Sequence, residues 1–166
     1  MLVMIALFVL MIVLALVVIG SVERLRVIEL AKLTSASRER IWRQWAEIAN
    51  RPVWDVALES VSIDGPFQVG TAGVATLKDR AQPVRFMVTE LQPYQSTTER
   101  FFLPFFNRMD WQRSIQDAGD GRREVTFRVE VKGPGALFLK PILGRRLRRE
   151  LPATVEKFVA AAEASR

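Results

Sequence analysis

The sequence predicts an α+β protein. One N-terminal apolar helix of membrane-spanning length precedes a single domain, in which an antiparallel sheet of about six to seven strands packs on a long C-terminal helix. Three observations predict this. Met1 to Ile19 is apolar without a break. From Trp54 to Lys132, short apolar and β-branched stretches alternate with turn residues, the pattern of strands joined by hairpins. Beyond them Leu139, Leu143, Leu147, Leu151, Val155, Phe158 and Ala162 recur at intervals of four or three, which is one stripe of an amphipathic helix.

Met1 to Val22 carries no charged side chain. At the helical rise about twenty residues reach ~30 Å, the thickness of a bilayer's hydrocarbon core. A cleaved signal peptide would need a basic segment ahead of the apolar run, and only Val18-Ile19-Gly20 offers a weak small-residue cleavage pattern. A helix apolar on all sides has no interior to hide in within a 166-residue chain. The expectation is a transmembrane anchor over 1–22 and a domain over 25–166. Arg24, Arg26, Lys32, Arg38 and Arg40 follow the span while only the terminal amine precedes it. The positive-inside rule then places the domain in the cytoplasm, as a single-pass membrane protein.

Arg26 to Leu33 can form the first strand. Ser37 can cap a helix, with Glu39 in its first turn. Ile41, Trp42, Trp45, Ile48 and Ala49 then follow at helical spacing, and Asn50-Arg51-Pro52 is expected to stop that helix. The turn signals among the strands are Asp64-Gly65-Pro66, the stretch from Asp79 to Pro83, Pro93, Pro104, and Asp117 to Gly121. Val125, Phe127, Val129 and Val131 alternate with Thr126, Arg128, Glu130 and Lys132, a strand with one buried and one wet face. Gly133-Pro134-Gly135 ends the sheet. Pro152 falls inside the last helix, but the stripe keeps phase across it, so a single kinked helix is expected.

Composition narrows the chemistry. The chain has no Cys and no His, which removes disulfides, thiolate catalysis, the commonest general base and the commonest metal ligand. No cofactor and no metal site is expected. Formal net charge is +6, all of it beyond residue 22. Beside a bilayer, such a domain is drawn to anionic headgroups. No stacking motif accompanies the basic residues, so nucleic acid is not expected as a partner.

The order of strand, helix, about six antiparallel strands and long C-terminal helix resembles the helix-grip fold of the SRPBCC superfamily, which includes START lipid-transfer domains and polyketide cyclase/dehydrase-like proteins. Ser35-Ala36-Ser37-Arg38-Glu39-Arg40-Ile41-Trp42 is similar to that family's strand-to-helix junction, and Trp54-Asp55 to the start of its second strand. Gly65 through Gly73 (GPFQVGTAG) resembles its glycine-punctuated hairpin, Val88 through Pro93 (VTELQP) its fourth strand and turn, and Gly133-Pro134-Gly135-Ala136-Leu137 the loop that launches the last helix. The resemblance covers roughly residues 25 to 165. It implies an apolar cavity between sheet and last helix, most often used to bind a hydrophobic ligand and less often for cyclisation, hydration or hydrolysis.

If that cavity exists, Phe86, Phe101, Met109, Trp111, Phe127, Leu139 and Leu143 are its candidate lining, with Phe102 and Phe138 as further aromatic candidates; each can equally be plain core. Asp110 alternates with Met109 and Trp111, so it is expected on the wet face. Glu99 and Glu90 are likewise expected to be solvated carboxylates, and Tyr94 sits in a turn. Lys140, Arg145, Arg146, Arg148 and Arg149 are read as the wet face of the last helix, able to meet anionic lipid. The function expected is a membrane-anchored, non-enzymatic domain that holds a hydrophobic small molecule and touches membrane lipids. The alternatives are a cyclase- or hydrolase-type enzyme, which needs a perturbed carboxylate or tyrosine in the cavity, and a membrane adaptor, which needs a filled interior. Nothing in the residues names a protein partner.

Overall fold

The computed structural model describes residues 1–80 and 82–165; Ala81, within the expected turn from Asp79 to Pro83, and Arg166, at the end of the expected domain, lie outside them. The chain runs α1 (Leu2–Val22), β1 (Leu25–Thr34), α2 (Arg38–Ala46), a single 3-10 turn (Ile48–Asn50), α3 (Arg51–Trp54), β2 (Leu58–Ile63), β3 (Ala72–Leu77), β4 (Val84–Gln92), β5 (Ser96–Leu103), β6 (Asn107–Gly119), β7 (Arg122–Lys132) and α4 (Ala136–Ala164). The strands form one seven-stranded sheet in the order β1-β7-β6-β5-β4-β3-β2, antiparallel at every pairing. From β2 to β7 each strand pairs with the next along the chain; only β1 crosses to the far edge, beside β7.

The stripe on α4 explains how helix and sheet join. Leu147, Leu151, Val155, Phe158 and Ala162 are buried, while Leu139 and Leu143 at the near end are half-buried. Phe158 is the key of the core. Its ring lies 5.9 Å from Trp45, 5.1 Å from Trp54 and 5.3 Å from Phe127, so one side chain joins α2, α3, β7 and α4. On β7, Val125, Phe127, Val129 and Val131 all face this core, as their alternation requires.

The helix after β1 differs from expectation. The Ser37 hydroxyl accepts from the Arg40 N–H and caps α2, but α2 ends at Ala46. Arg51-Pro52 opens α3 instead of closing a helix, since proline is pre-set for a first turn that needs no N–H there. Trp54 therefore ends a helix, and β2 begins only at Leu58. In α4 two prolines, Pro141 and Pro152, lie inside one continuous helix.

The exposed helix α1 is long and apolar enough to cross a bilayer; a signal sequence has the same character. Its end is seated on the domain, where the Gly133 N–H donates to the Gly20 carbonyl at 2.7 Å. A Cβ on Gly20 would stand 2.6 Å from the Gly133 oxygen, so only glycine permits this approach. Asn107 secures the same corner: its amide donates to the Pro104 carbonyl at 2.7 Å and its side-chain oxygen accepts from the Gly135 N–H at 2.8 Å. The β5–β6 turn, the start of α4 and the end of α1 are thus held together.

Candidate ligand cavity

Between the inner face of β2–β6 and the first half of α4 lies a cavity of about 90 Å³. Leu58, Val61, Ala75, Leu77, Val84, Phe86, Phe101, Leu103, Met109 and Trp111 line it from the sheet, with Leu143 and Leu147 from α4. The register explains the shared wall: Phe101 pairs with Met109 and Glu99 with Trp111 across β5–β6, and directly paired residues point to the same face. Phe86 and Phe101 stack with centroids 5.3 Å apart.

Of the residues expected here, Phe86, Phe101, Met109, Trp111 and Leu143 line the cavity. Phe127 does not; it is fully buried behind it, against Phe158. Leu139 packs half-buried beside Val131 and Leu147, outside the lining. Phe102 and Phe138 are exposed. Lys140, Arg145, Arg148 and Arg149 are exposed on α4. Arg146 instead stands at the cavity rim, where it binds Asp79 at 2.8 Å and Glu150 at 3.0 Å. The Asp79 contact ties α4 to the β3–β4 turn.

Two carboxylates correct the sequence reading. Glu99 is not solvated; it is fully buried. Arg51 on α3 donates to both its oxygens, and Arg113 Nη1 on β6 lies 3.2 Å from Oε2. Burial would push this carboxyl up, but Arg113 and Arg51 more than reverse that and hold it at about 2. Asp110 does face away from Met109 and Trp111, yet it too is buried, bridged by Arg100 at 2.7 and 2.9 Å. Glu90 is exposed and accepts from the Thr98 hydroxyl. Tyr94 is exposed in its turn, at a φ of 62°, and does not line the cavity.

Arg51, Asp55 and Arg113 also line the cavity, and sequence reasoning missed all three. Asp55 is buried and its Oδ1 accepts from the Ala57 N–H at 3.1 Å. Burial pushes its carboxyl up, against the pull of that N–H and of Arg113 and Arg51. Among the described residues, no group of three or more metal-ligating side chains is placed to hold an ion.

A family model described as polyketide cyclase / dehydrase and lipid transport matches residues 27–163. The fold is similar to the Zhui aromatase/cyclase from Streptomyces sp. R1128, at 13% identity and a TM-score of 0.67 over 85% of this chain and 94% of that one. It is similar to norcoclaurine synthase from Thalictrum flavum in complex with dopamine and hydroxybenzaldehyde, at 15% identity and a TM-score of 0.66 over 89% and 93%. A hypothetical protein from Helicobacter pylori aligns at 8% identity and a TM-score of 0.68 over 86% and 89%. No curated protein matches the sequence.

Proposed function

The chain belongs to the polyketide cyclase / dehydrase and lipid transport family, and from that premise we propose that it is a membrane-tethered binding domain for a hydrophobic small molecule, acting without catalysis. The observation that carries this reading is the cavity wall. The lining as a whole is mostly apolar, and Phe86, Phe101, Met109 and Trp111 form one continuous surface. Burying a ligand's apolar surface there is the driving force. At about 90 Å³ the cavity takes only part of a lipid-sized molecule, since ligand pockets usually reach ~300–1,000 Å³. Entry therefore requires the rim to part, and the Arg146–Asp79 bridge is the contact that must open.

The tether in this reading is α1, with the domain on the cytoplasmic side because the basic residues follow the span. Phe105, Phe106, Phe138 and Ile142 are all largely exposed. They sit on the β5–β6 turn and the start of α4, the two segments secured to the end of α1, so they would meet the headgroup region. Lys140, Arg145, Arg148 and Arg149 supply charge for anionic lipid on the same helix.

One observation favours a second reading. Asp55 is a cavity carboxyl raised by burial, which is what a cyclase- or hydrolase-type acid or base requires. Glu99 does not serve that role, because its two arginines keep it ionised. In norcoclaurine synthase the same fold accompanies dopamine and hydroxybenzaldehyde, so small aromatic compounds belong among the substrates to try.

Native mass spectrometry of the intact protein, taken gently from its own membrane, tests the proposal. A defined added mass, released on denaturation and identified as an apolar molecule, is expected. A clean apo mass with no uptake from a lipid extract would overturn it and favour an adaptor with a filled interior.

A further inference from the structure

The cavity floor holds charge that the apolar walls do not need. Arg51 is fully engaged: its Nη1 and Nη2 donate to Glu99, and its Nε and Nη2 donate to the Trp45 carbonyl at 3.2 and 2.7 Å. Arg113 is not. Its side chain is 4% exposed, its Nη1 pairs with Glu99 at 3.2 Å and its guanidinium lies 5.9 and 6.0 Å from the Trp111 and Phe127 rings, but its Nε has no hydrogen-bond partner. Beside it on β6 the Trp111 indole N–H is also buried and unpartnered. Both side chains line the cavity. A native interior seldom leaves such donors unmet, because each unmade bond costs the full desolvation of the group.

The charges point the same way. Two guanidiniums face one carboxylate that stays ionised, Glu99. The other acidic group in reach is Asp55, whose burial favours its neutral form. An unbalanced guanidinium away from water is costly unless something supplies the opposite charge. The group that fits is an acceptor with no protons of its own, planar enough for a guanidinium fork and small enough for the space. An ionised carboxylate has that geometry; a phosphate monoester brings more bulk and close to two charges.

We infer that the floor of the cavity is a subsite for the ionised carboxylate of a long-chain acid, received by Arg113 and the Trp111 N–H, with the acid's chain lying along Phe86 and Phe101 towards the rim. This deepens the binding function proposed above and rests on it. Arg51 acts as a positioning residue: by satisfying Glu99 it leaves Arg113's donors for the ligand.

The test is competitive native mass spectrometry of the full chain in a non-ionic detergent, with equimolar oleate and oleyl alcohol at about pH 8, where the acid is ionised. The two probes share a chain and differ only in the head. Oleate is expected to be retained about tenfold or more over the alcohol, the size of one charge-assisted hydrogen bond. Arg113→Met should abolish that preference while alcohol uptake persists. Trp111→Phe keeps a ring and removes the N–H; it should cut the preference several-fold, and it provides the test if Arg113→Met fails to fold by circular dichroism. Equal retention of acid and alcohol by the unaltered protein overturns the headgroup inference and leaves the cavity reading standing. Unchanged preference in Trp111→Phe, or in a folded Arg113→Met, also overturns it. Retention of neither probe sinks the cavity reading and this inference with it.

Discussion

Glu99 stays ionised although buried because two guanidiniums share it, and its energetics follow with a definite sign. Its carboxyl is held at about 2 in the folded protein, against ~4.3 in an unfolded chain. A depressed carboxylate contributes stability that is present above the unfolded value and is lost as pH falls towards the folded one. Urea unfolding between about pH 5 and pH 2 should therefore show stability declining, by an amount on the order of 3 kcal/mol from this group. Glu99→Gln should cost about 3–5 kcal/mol near neutral pH, because it strands Arg51 and Arg113, and should flatten that decline. A variant as stable as the parent with the same pH profile would show that the pair is not what holds the floor. The position was within reach of the sequence. Counting two residues back from Phe101 and two on from Trp111 places Glu99 and Arg113 on the cavity face, by the same alternation that turned Asp110 away. What the sequence does not display is that Arg51, forty-eight residues before Glu99, arrives to meet it. The general expectation that lone carboxylates are solvated fails when the partner comes from a distant element.

At the scale of elements, α4 was the most legible and α2–α3 the least, for one reason: periodicity reports burial, and proline reports only a local restriction. The α4 stripe survives Pro141 and Pro152 because both prolines are exposed. The buried face continues on either side of them, and its packing outweighs the lost backbone bonds. The run from Ile41 to Ala49 does not continue in phase beyond Pro52, so the residue reads as a stop when it is in fact a start. The claim that α4 is held by packing has a direct check. Phe158→Ala removes the ring that meets Trp45, Trp54 and Phe127, and should destabilise the protein by about 3–5 kcal/mol in urea unfolding. Ile142→Ala, on the exposed side of the same helix, should change stability by no more than about 0.5 kcal/mol. Similar losses from both would mean that α4 is stabilised by helix propensity along its length and not by its seat on the sheet.

For the whole molecule, the proposed tether raises the question of which face would meet a bilayer, and here sequence and structure contribute different parts. The apolar run of α1 was plain from composition, as was the basic character of α4. The exposed turn aromatics were not: Pro104 marks a turn, but only the backbone shows that Phe105 and Phe106 sit in it at positive φ, 57° and 59°, with 83% and 96% of their surface open. Bulky residues seldom accept that conformation, and two adjacent ones held outward suggest a surface whose counterpart is apolar. Arg146, counted in the sequence with the lipid-facing charges, is occupied at the cavity rim. The two kinds of contribution separate by salt. Basic side chains near an anionic surface are worth about 1 kcal/mol each and are screened within a Debye length, whereas burial of a Phe is worth ~1.5–3 kcal/mol and persists in salt. Vesicle sedimentation of the chain lacking residues 1–20 reads both. Phe105→Ser with Phe106→Ser should weaken binding by more than about tenfold at low and high salt alike. Alanine at Lys140, Arg145, Arg148 and Arg149 should weaken it on anionic vesicles at low salt only. If the serine variant binds as the parent does, the turn does not enter the headgroup region, and α1 alone would hold the domain at the membrane.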